Sequence, residues 1–320
     1  MSTSPGALDR SAPVFIAGHR GLVGSALLRK FEAEGFTNLV VRQRSELDLT
    51  DRAATLDFIR DAKPQVVIDA AARVGGILAN STYPADFLSE NLQIQVNLLD
   101  AATAARVPRL LFLGSSCIYP KFAPQPIPES ALLTGPLEPR NDAYAIAKIA
   151  GILQVQAVRR QYDLSWISAM PTNLYGPGDN FSATGSHLLP ALIRRYDEAK
   201  ASGAPEVTNW GTGKPRRELL HVDDLASASL FLLEHYDGPE HINVGTGIDH
   251  SIEEIAEMVA AAVGYGGETR WDTDKPDGTP RKLLNISKLR EAGWQPEISL
   301  RDGIETTVAW YRANAGAARK

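Results

Sequence analysis

Between residues 14 and 170 the chain alternates short apolar runs with stretches long enough to be helices, and nothing else in it constrains the fold as much. The runs are VFIAG (14–18), NLVVR (38–42), QVVIDAA (65–71), RLLFLGS (109–115) and LSWISAM (164–170). Helical stretches lie between them, at about 22–34, 51–61, 83–105 and 141–161. Short strands alternating with helices of ten or more residues make a βαβ series. Such a series closes into a parallel, doubly wound α/β sheet of the Rossmann type, covered on both faces. No internal repeat or low-complexity tract interrupts it.

After residue 176 the pattern changes. The stretch 177–218 is rich in loops, with one helix near 188–201, and 219–236 reads as a strand end followed by a helix. HINVG (241–245) reads as a strand that returns to the main sheet. The expected organisation is therefore a disordered arm over 1–13, a dinucleotide domain over 14–176 plus about 219–246, and a smaller substrate lobe over about 177–218 plus 247–320. The charge of −5, from 33 basic and 38 acidic residues, gives no electrostatic case for nucleic acid or an anionic membrane. No apolar run approaches the ~20 residues of a membrane span, and the first residues lack the apolar core of a secretory signal. The single cysteine, Cys117, fits a reducing compartment. A cytoplasmic protein is expected.

The first run leads into Gly18-His19-Arg20-Gly21-Leu22-Val23-Gly24, a GxxGxxG spacing between an expected strand and an expected helix. Glycine at such a turn permits close backbone approach to a pyrophosphate, and the helix start offers N–H groups to it. Gly18, Arg20, Gly21, Leu22, Val23 and Gly24 are thus the candidate nucleotide loop. Arg42 and Arg44 close the second run. Guanidinium groups from Arg44 and Arg20 suit a 2′-phosphate, which favours NADP, although Glu46 and Asp48 leave NAD open. Asp48 and Leu49 are expected to flank the adenine.

In NDAYAIAKIAG (141–151), Tyr144 and Lys148 are spaced i, i+4 and share a helix face. A nearby ammonium group is expected to lower the phenol's pKa, preparing Tyr144 to protonate a carbonyl oxygen as a hydride reaches the carbon. Ser115, at the end of the fourth run, is placed to steady that oxygen. The set reads as carbonyl redox chemistry.

On GHRGLVG, GSS, YAIAK and LLHVDDLA, the chain resembles the extended short-chain dehydrogenase/reductase family over residues 14–310. The resemblance implies NAD(P), a nucleotide-sugar substrate and a Ser115/Tyr144/Lys148 triad. The phrases GGILAN, LGSSCIYPK, EPRNDAYAIAKIAGI, PTNLYGP, INVGTG and KPDGTPRKLL are similar to those of the family's epimerase–reductases acting on GDP-4-keto-6-deoxy-D-mannose. That similarity implies inversion at C3 and C5, then NADPH-dependent reduction at C4. It assigns the acid/base pair to Cys117 and His187. Thiol and imidazole are suitable proton carriers near neutral pH, and an extended strand end would bring Ser115 and Cys117 to one face. The C3 and C5 protons are α to the ketone, so each can leave if donors such as Ser115 and Tyr144 stabilise the enolate oxygen.

The same resemblance implies substrate contacts from Asn173, His187, Arg195, Trp210, Arg217 and Asp277. It also implies that Ala71, Ala72, Pro171, Asn173 and Leu174 line the nicotinamide and its ribose. Arg194, Arg216 and Lys282 fit solvated surface better. His19 is expected to shape the glycine loop, and His221 to sit in a turn with an aspartate helix cap. No metal is expected. The family's usual homodimer would use helices at about 84–105 and 142–161. Two other readings stay open: a neighbouring nucleotide-sugar epimerase or dehydratase that retains its NAD, and an NADPH-sensing regulatory protein without catalysis.

Overall fold

A computed structural model describes residues 5–183 and 185–314. The first half runs β1 (Val14–Ala17), α1 (Leu22–Ala33), β2 (Leu39–Val40), α2 (Arg52–Ala62), β3 (Val66–Asp69), α3 (Ile77–Thr82), α4 (Pro84–Ala104), β4 (Arg109–Leu113), α5 (Asp142–Tyr162) and β5 (Ser165–Pro171). The second half runs β6 (Asn173–Tyr175), α6 (Leu188–Ser202), β7 (Glu206–Trp210), β8 (Arg216–His221), α7 (Val222–His235), β9 (Ile242–Val244), β10 (Asp249–Ser251), α8 (Ile252–Val263), β11 (Glu268–Asp272), β12 (Arg281–Lys282), α9 (Ser287–Ala292) and α10 (Leu300–Ala313).

The main sheet is parallel, in the order β2-β1-β3-β4-β5-β9. Every residue of β1, β3 and β4 is buried, as expected of strands covered on both faces. Strand order reverses between β1 and β3, so the loops after these two strands open the crevice in which such sheets bind ligands. Helix α5 can lie close to the sheet because of Gly151: a Cβ there would stand 2.3 Å from the Phe112 ring of β4. Pro84 starts α4, close to where the helix over 83–105 was expected, and separates it from the short α3, which was not expected.

β9 does return to the main sheet, but other boundaries fall elsewhere than expected. β6 pairs with β8, together with β10 and β12, so Asn173–Tyr175 already belongs to a second sheet. Leu284, Ile286, Leu289 and Trp294 pack into the large core, not into the lobe expected over 247–320. The lobe's own core is built from α6, α8 and α10 around Tyr196, Ile193, Ile255 and Ile304. The expected disordered arm is corrected too: the Leu8 N–H and Arg10 both bond Glu234 of α7, and the Arg10 carbonyl accepts from Thr37 N. Residues 1–4 lie outside the described residues.

Local capping follows the sequence chemistry. Asp51 caps α2 by accepting from Ala54 N, and Ser251 with Glu254 forms a reciprocal capping box on α8, which ends at Gly264 in the left-handed region. At α7 the cap is His221 itself, whose Nδ1 accepts from Asp223 N, in place of the expected aspartate.

One buried histidine makes stability depend on pH. Tyr119 donates to the Asn243 side chain, so His241 Nε2–H donates to the Tyr119 oxygen, leaving His241 Nδ1 buried without a hydrogen bond among the described residues. Burial pulls this imidazole down from 6.5 to about 4. The folded state therefore binds fewer protons than the unfolded chain between those values, and stability falls as pH drops through that window. The shift corresponds to about 3 kcal/mol at most. Urea unfolding of wild type at pH 7 and pH 5 should show this loss, and His241→Gln should remove most of it. An unchanged slope in the variant would assign the acid sensitivity elsewhere.

Candidate active site

A continuous cleft of about 1360 Å³ runs along the C-terminal ends of β1, β3, β4 and β5 and under the second lobe. That exceeds the roughly 300–1,000 Å³ of a site for one drug-sized ligand and leaves room for two ligands end to end.

At one end the glycine loop forms the wall. Gly18 has φ +76°, and a Cβ on it would meet the Ala70 carbonyl at 2.6 Å; a Cβ on Gly24 would meet the Gly18 carbonyl at 2.2 Å. The loop is thus compressed against the turn after β3, and only glycine fits. α1 begins at Leu22 without a side-chain cap, and Leu22 and Val23 line the cleft, which suits an anionic group at a helix start. Arg20, Gly21, Arg44, Asp48, Leu49, Ala71, Ala72, Pro171, Asn173 and Leu174 line it as well. Arg20 donates to Gln43 (3.0 Å). Arg44 is held by Glu90 (2.7 Å) and Asp48 (3.3 Å), so its charge is already shared with two carboxylates.

The middle of the cleft gathers Ser115, Cys117, Tyr144, Lys148 and His187. Here two expectations are corrected. The strand end does not stay extended: Ser115 is extended, but Ser116–Ile118 form a 3-10 turn, and the Ser115 hydroxyl accepts from Cys117 N (3.4 Å). Cys117 reaches the cleft because the turn swings it there, not through strand alternation. The second correction concerns Tyr144. Its phenol is pushed above the ordinary range by burial, then by Cys117 and Asp69. The Lys148 ammonium donates to the Leu113 carbonyl (2.9 Å) and lies 5.9 Å from the Tyr144 ring centroid, so it makes no direct hydrogen bond to the phenol among the described residues. In this state Tyr144 keeps its proton as a hydrogen-bond donor.

Cys117 and His187 are both held neutral. Burial raises the thiol, with Lys282 opposing. His187, the N-cap of α6, lines the cleft with its side chain exposed to it, and desolvation by the surrounding walls, then Lys282, lower its imidazole. A thiol that keeps its proton and an imidazole with a free lone pair amount to one acid and one base.

At the far end β12 pairs with β8 in register, Lys282 beside Arg217, so two cations stand side by side on the cleft wall. Lys282 is thus not the solvated surface residue expected from sequence; burial lowers its ammonium, with Cys117 opposing. Arg194 and Arg216 do pair with carboxylates, Glu198 and Asp249. Asp277 lines the rim and accepts from Thr212 N (2.9 Å) and its hydroxyl (2.7 Å). Arg195 and Trp210 are not brought to the wall: Arg195 donates to Asn209, and Trp210 is 73% exposed at the end of β7.

Asp69 and Asn141 were missed. Both line or underlie this region with a buried side-chain oxygen that has no hydrogen-bond partner among the described residues, Asp69 Oδ2 and Asn141 Oδ1. The one signal for Asp69 was a carboxylate closing an otherwise apolar run, VVID.

Residues 14–245 match the model of the NAD dependent epimerase/dehydratase family. The chain is 61% identical over 307 residues to a putative GDP-L-fucose synthase 2 of Arabidopsis thaliana, covering 96% of this chain and 94% of that one. It is 53% identical over 310 residues to the GDP-L-fucose synthase of Escherichia coli K12, covering 94% and 97%. Its structure superposes on a GDP-L-fucose synthetase of Naegleria fowleri bound to NADP with TM-score 0.93 at 28% identity, covering 100% and 98%.

Proposed function

This chain belongs to the NAD dependent epimerase/dehydratase family, and from that premise we propose that it converts GDP-4-keto-6-deoxy-D-mannose to GDP-L-fucose by inversion at C3 and C5 followed by NADPH-dependent reduction at C4. The observation that carries this reading is one cleft holding a carbonyl-binding set (Ser115, Tyr144, Lys148) together with a neutral thiol and a neutral imidazole. A plain reductase needs only the first set.

The glycine loop fits a dinucleotide, since the Cβ positions of Gly18 and Gly24 are closed and the backbone itself forms the phosphate wall. Gly18 to Gly24 would hold the pyrophosphate, Arg20 and Arg44 the 2′-phosphate, Asp48 and Leu49 the adenine. Ala71, Ala72, Pro171, Asn173 and Leu174 would line the nicotinamide and its ribose. When bound, NADPH supplies the hydride that reaches C4. Tyr144 donates its phenolic proton to O4 as that carbon is reduced, and Ser115 holds the same oxygen. Before that step the two donors stabilise the enolate while Cys117 and His187 remove and return protons on opposite faces of the ring.

Arg217 and Lys282 suit the GDP diphosphate, and Asp277 a hydroxyl. A substrate of that length leaves the cleft at the Asp277 rim. Thr212 bonds Asp277 there, two residues from the exposed Trp210. Trp210 with Arg195 behind it would meet the far end of the nucleotide outside the wall. We include in the proposal a cytoplasmic homodimer through α4 and α5, supported by the exposed apolar side chains Ile146 and Leu153 on α5. Among the described residues no helix is long and apolar enough to cross a membrane.

Incubation with NADPH and GDP-4-keto-6-deoxy-D-mannose tests the reading. Loss of NADPH absorbance dependent on the sugar is expected. Tight NADPH binding without turnover would favour the sensing protein, and retention of a tightly held NAD would favour a neighbouring epimerase.

A further inference from the structure

Asp69 closes β3 with none of its surface exposed, and no step above uses it. It pairs in register with Phe112 of β4. Paired residues of neighbouring strands project to the same face of the sheet. Phe112 faces α5, because its ring fills the space over Gly151. The Asp69 carboxylate therefore faces α5 as well.

The Lys148 ammonium occupies that same region. It lies 4.8 Å from the Phe112 ring centroid and donates to the carbonyl of Leu113, the next residue. Asp69 Oδ1 accepts from Ala71 N (3.2 Å), and Oδ2 has no hydrogen-bond partner among the described residues. A buried carboxylate oxygen without a partner is costly unless a charge compensates it. Burial drives the Asp69 carboxyl up to about 6 and the Lys148 ammonium down, and each group opposes the other's shift. Tyr144 from α5 and Cys117 from the 3-10 turn are the other titratable groups facing the pair.

We infer that Asp69 is a positioning residue for the proposed C4 reduction: its buried carboxylate keeps Lys148 charged and fixed at the ends of β3 and β4, beside Tyr144. The inference rests on the function proposed above. Without the carboxylate, Lys148 would lose its proton at a lower pH, and the site would lose its cation.

Asp69→Asn keeps the shape and removes the charge. The rate of NADPH oxidation with the keto sugar should fall about tenfold at pH 8, and the alkaline limb of the kcat profile should move toward neutral by about one unit. The KM for the sugar should stay within about twofold. Above pH 6 the variant should melt a few degrees higher than wild type, because a buried charge has gone. A lower melting temperature with an unshifted pH profile would make Asp69 structural and overturn the inference. In the double variant Asp69→Asn/Lys148→Met the loss should equal that of Lys148→Met alone, whereas multiplying losses would show independent roles.

If Asp69→Asn does not fold, the Asp69 carboxyl infrared band in wild type and Lys148→Met decides. Its titration should move to higher pH when the ammonium is removed, and an unmoved band would overturn the coupling. This last measurement uses no sugar, so it can fail or succeed separately from the proposed reaction.

Discussion

Cys117→Ser should abolish formation of the L-configured product, lowering exchange of the C3 and C5 protons by about 10²–10⁴-fold, the usual worth of a positioned acid or base. The hydroxyl is close in shape to the thiol but far weaker as an acid, so it cannot trade a proton with carbon on the time scale of turnover. NADPH affinity should change little, because Cys117 stands on the 3-10 turn after β4 while the loop proposed to hold the phosphates follows β1. Fluorescence titration of NADPH and loss of the ring-proton signals in D2O measure the two effects. Equal loss of cofactor binding would make the thiol a packing residue.

Tyr144→Phe is the second large effect. Reduction should fall by about 10²–10⁴-fold, since Tyr144 is the group proposed to deliver the proton to O4. Exchange at C3 and C5 should survive in large part, because Ser115 still holds the enolate oxygen. The ring stays, and with it the edge-on contact to Phe87 (centroids 6.4 Å apart), so the fold should be as stable as wild type. If exchange disappeared as completely as reduction, Tyr144 would be required for enolisation too, and the division of labour would be wrong.

The large domain was legible in the sequence because strands covered on both faces must be apolar throughout, and helices between them make each connection a parallel crossover. The glycine loop was legible for a related reason, as its backbone has to pass within contact of the turn after β3. The second sheet was not. β6 and β12 are three and two residues long, and such segments become strands only when β8 lies beside them. The same holds for Leu284 to Trp294, whose apolar pattern does not say which of two cores it enters.

The site was legible as a set of residue types and less so as electrostatics. The i, i+4 spacing puts Tyr144 and Lys148 on one helix face, but the ammonium turns to the Leu113 carbonyl and the phenol rises instead of falling. Lys282 reads as a surface lysine until β12 pairs with β8. Asp69 reads as a strand end until β1 and β4 close over it. In each case the local chemistry was in the sequence, and the dielectric around it came from distant segments.

The joint presence of an acid/base pair and a carbonyl-reducing set in one cleft is the central claim. It is tested most directly by proton NMR of the product formed from GDP-4-keto-6-deoxy-D-mannose and NADPH in D2O. The expected product is GDP-L-fucose carrying solvent deuterium at C3 and C5 and the NADPH-derived proton at C4. A C4-reduced sugar that keeps its D-configuration and its original C3 and C5 protons would contradict it, leaving Cys117 and His187 without a role in proton transfer.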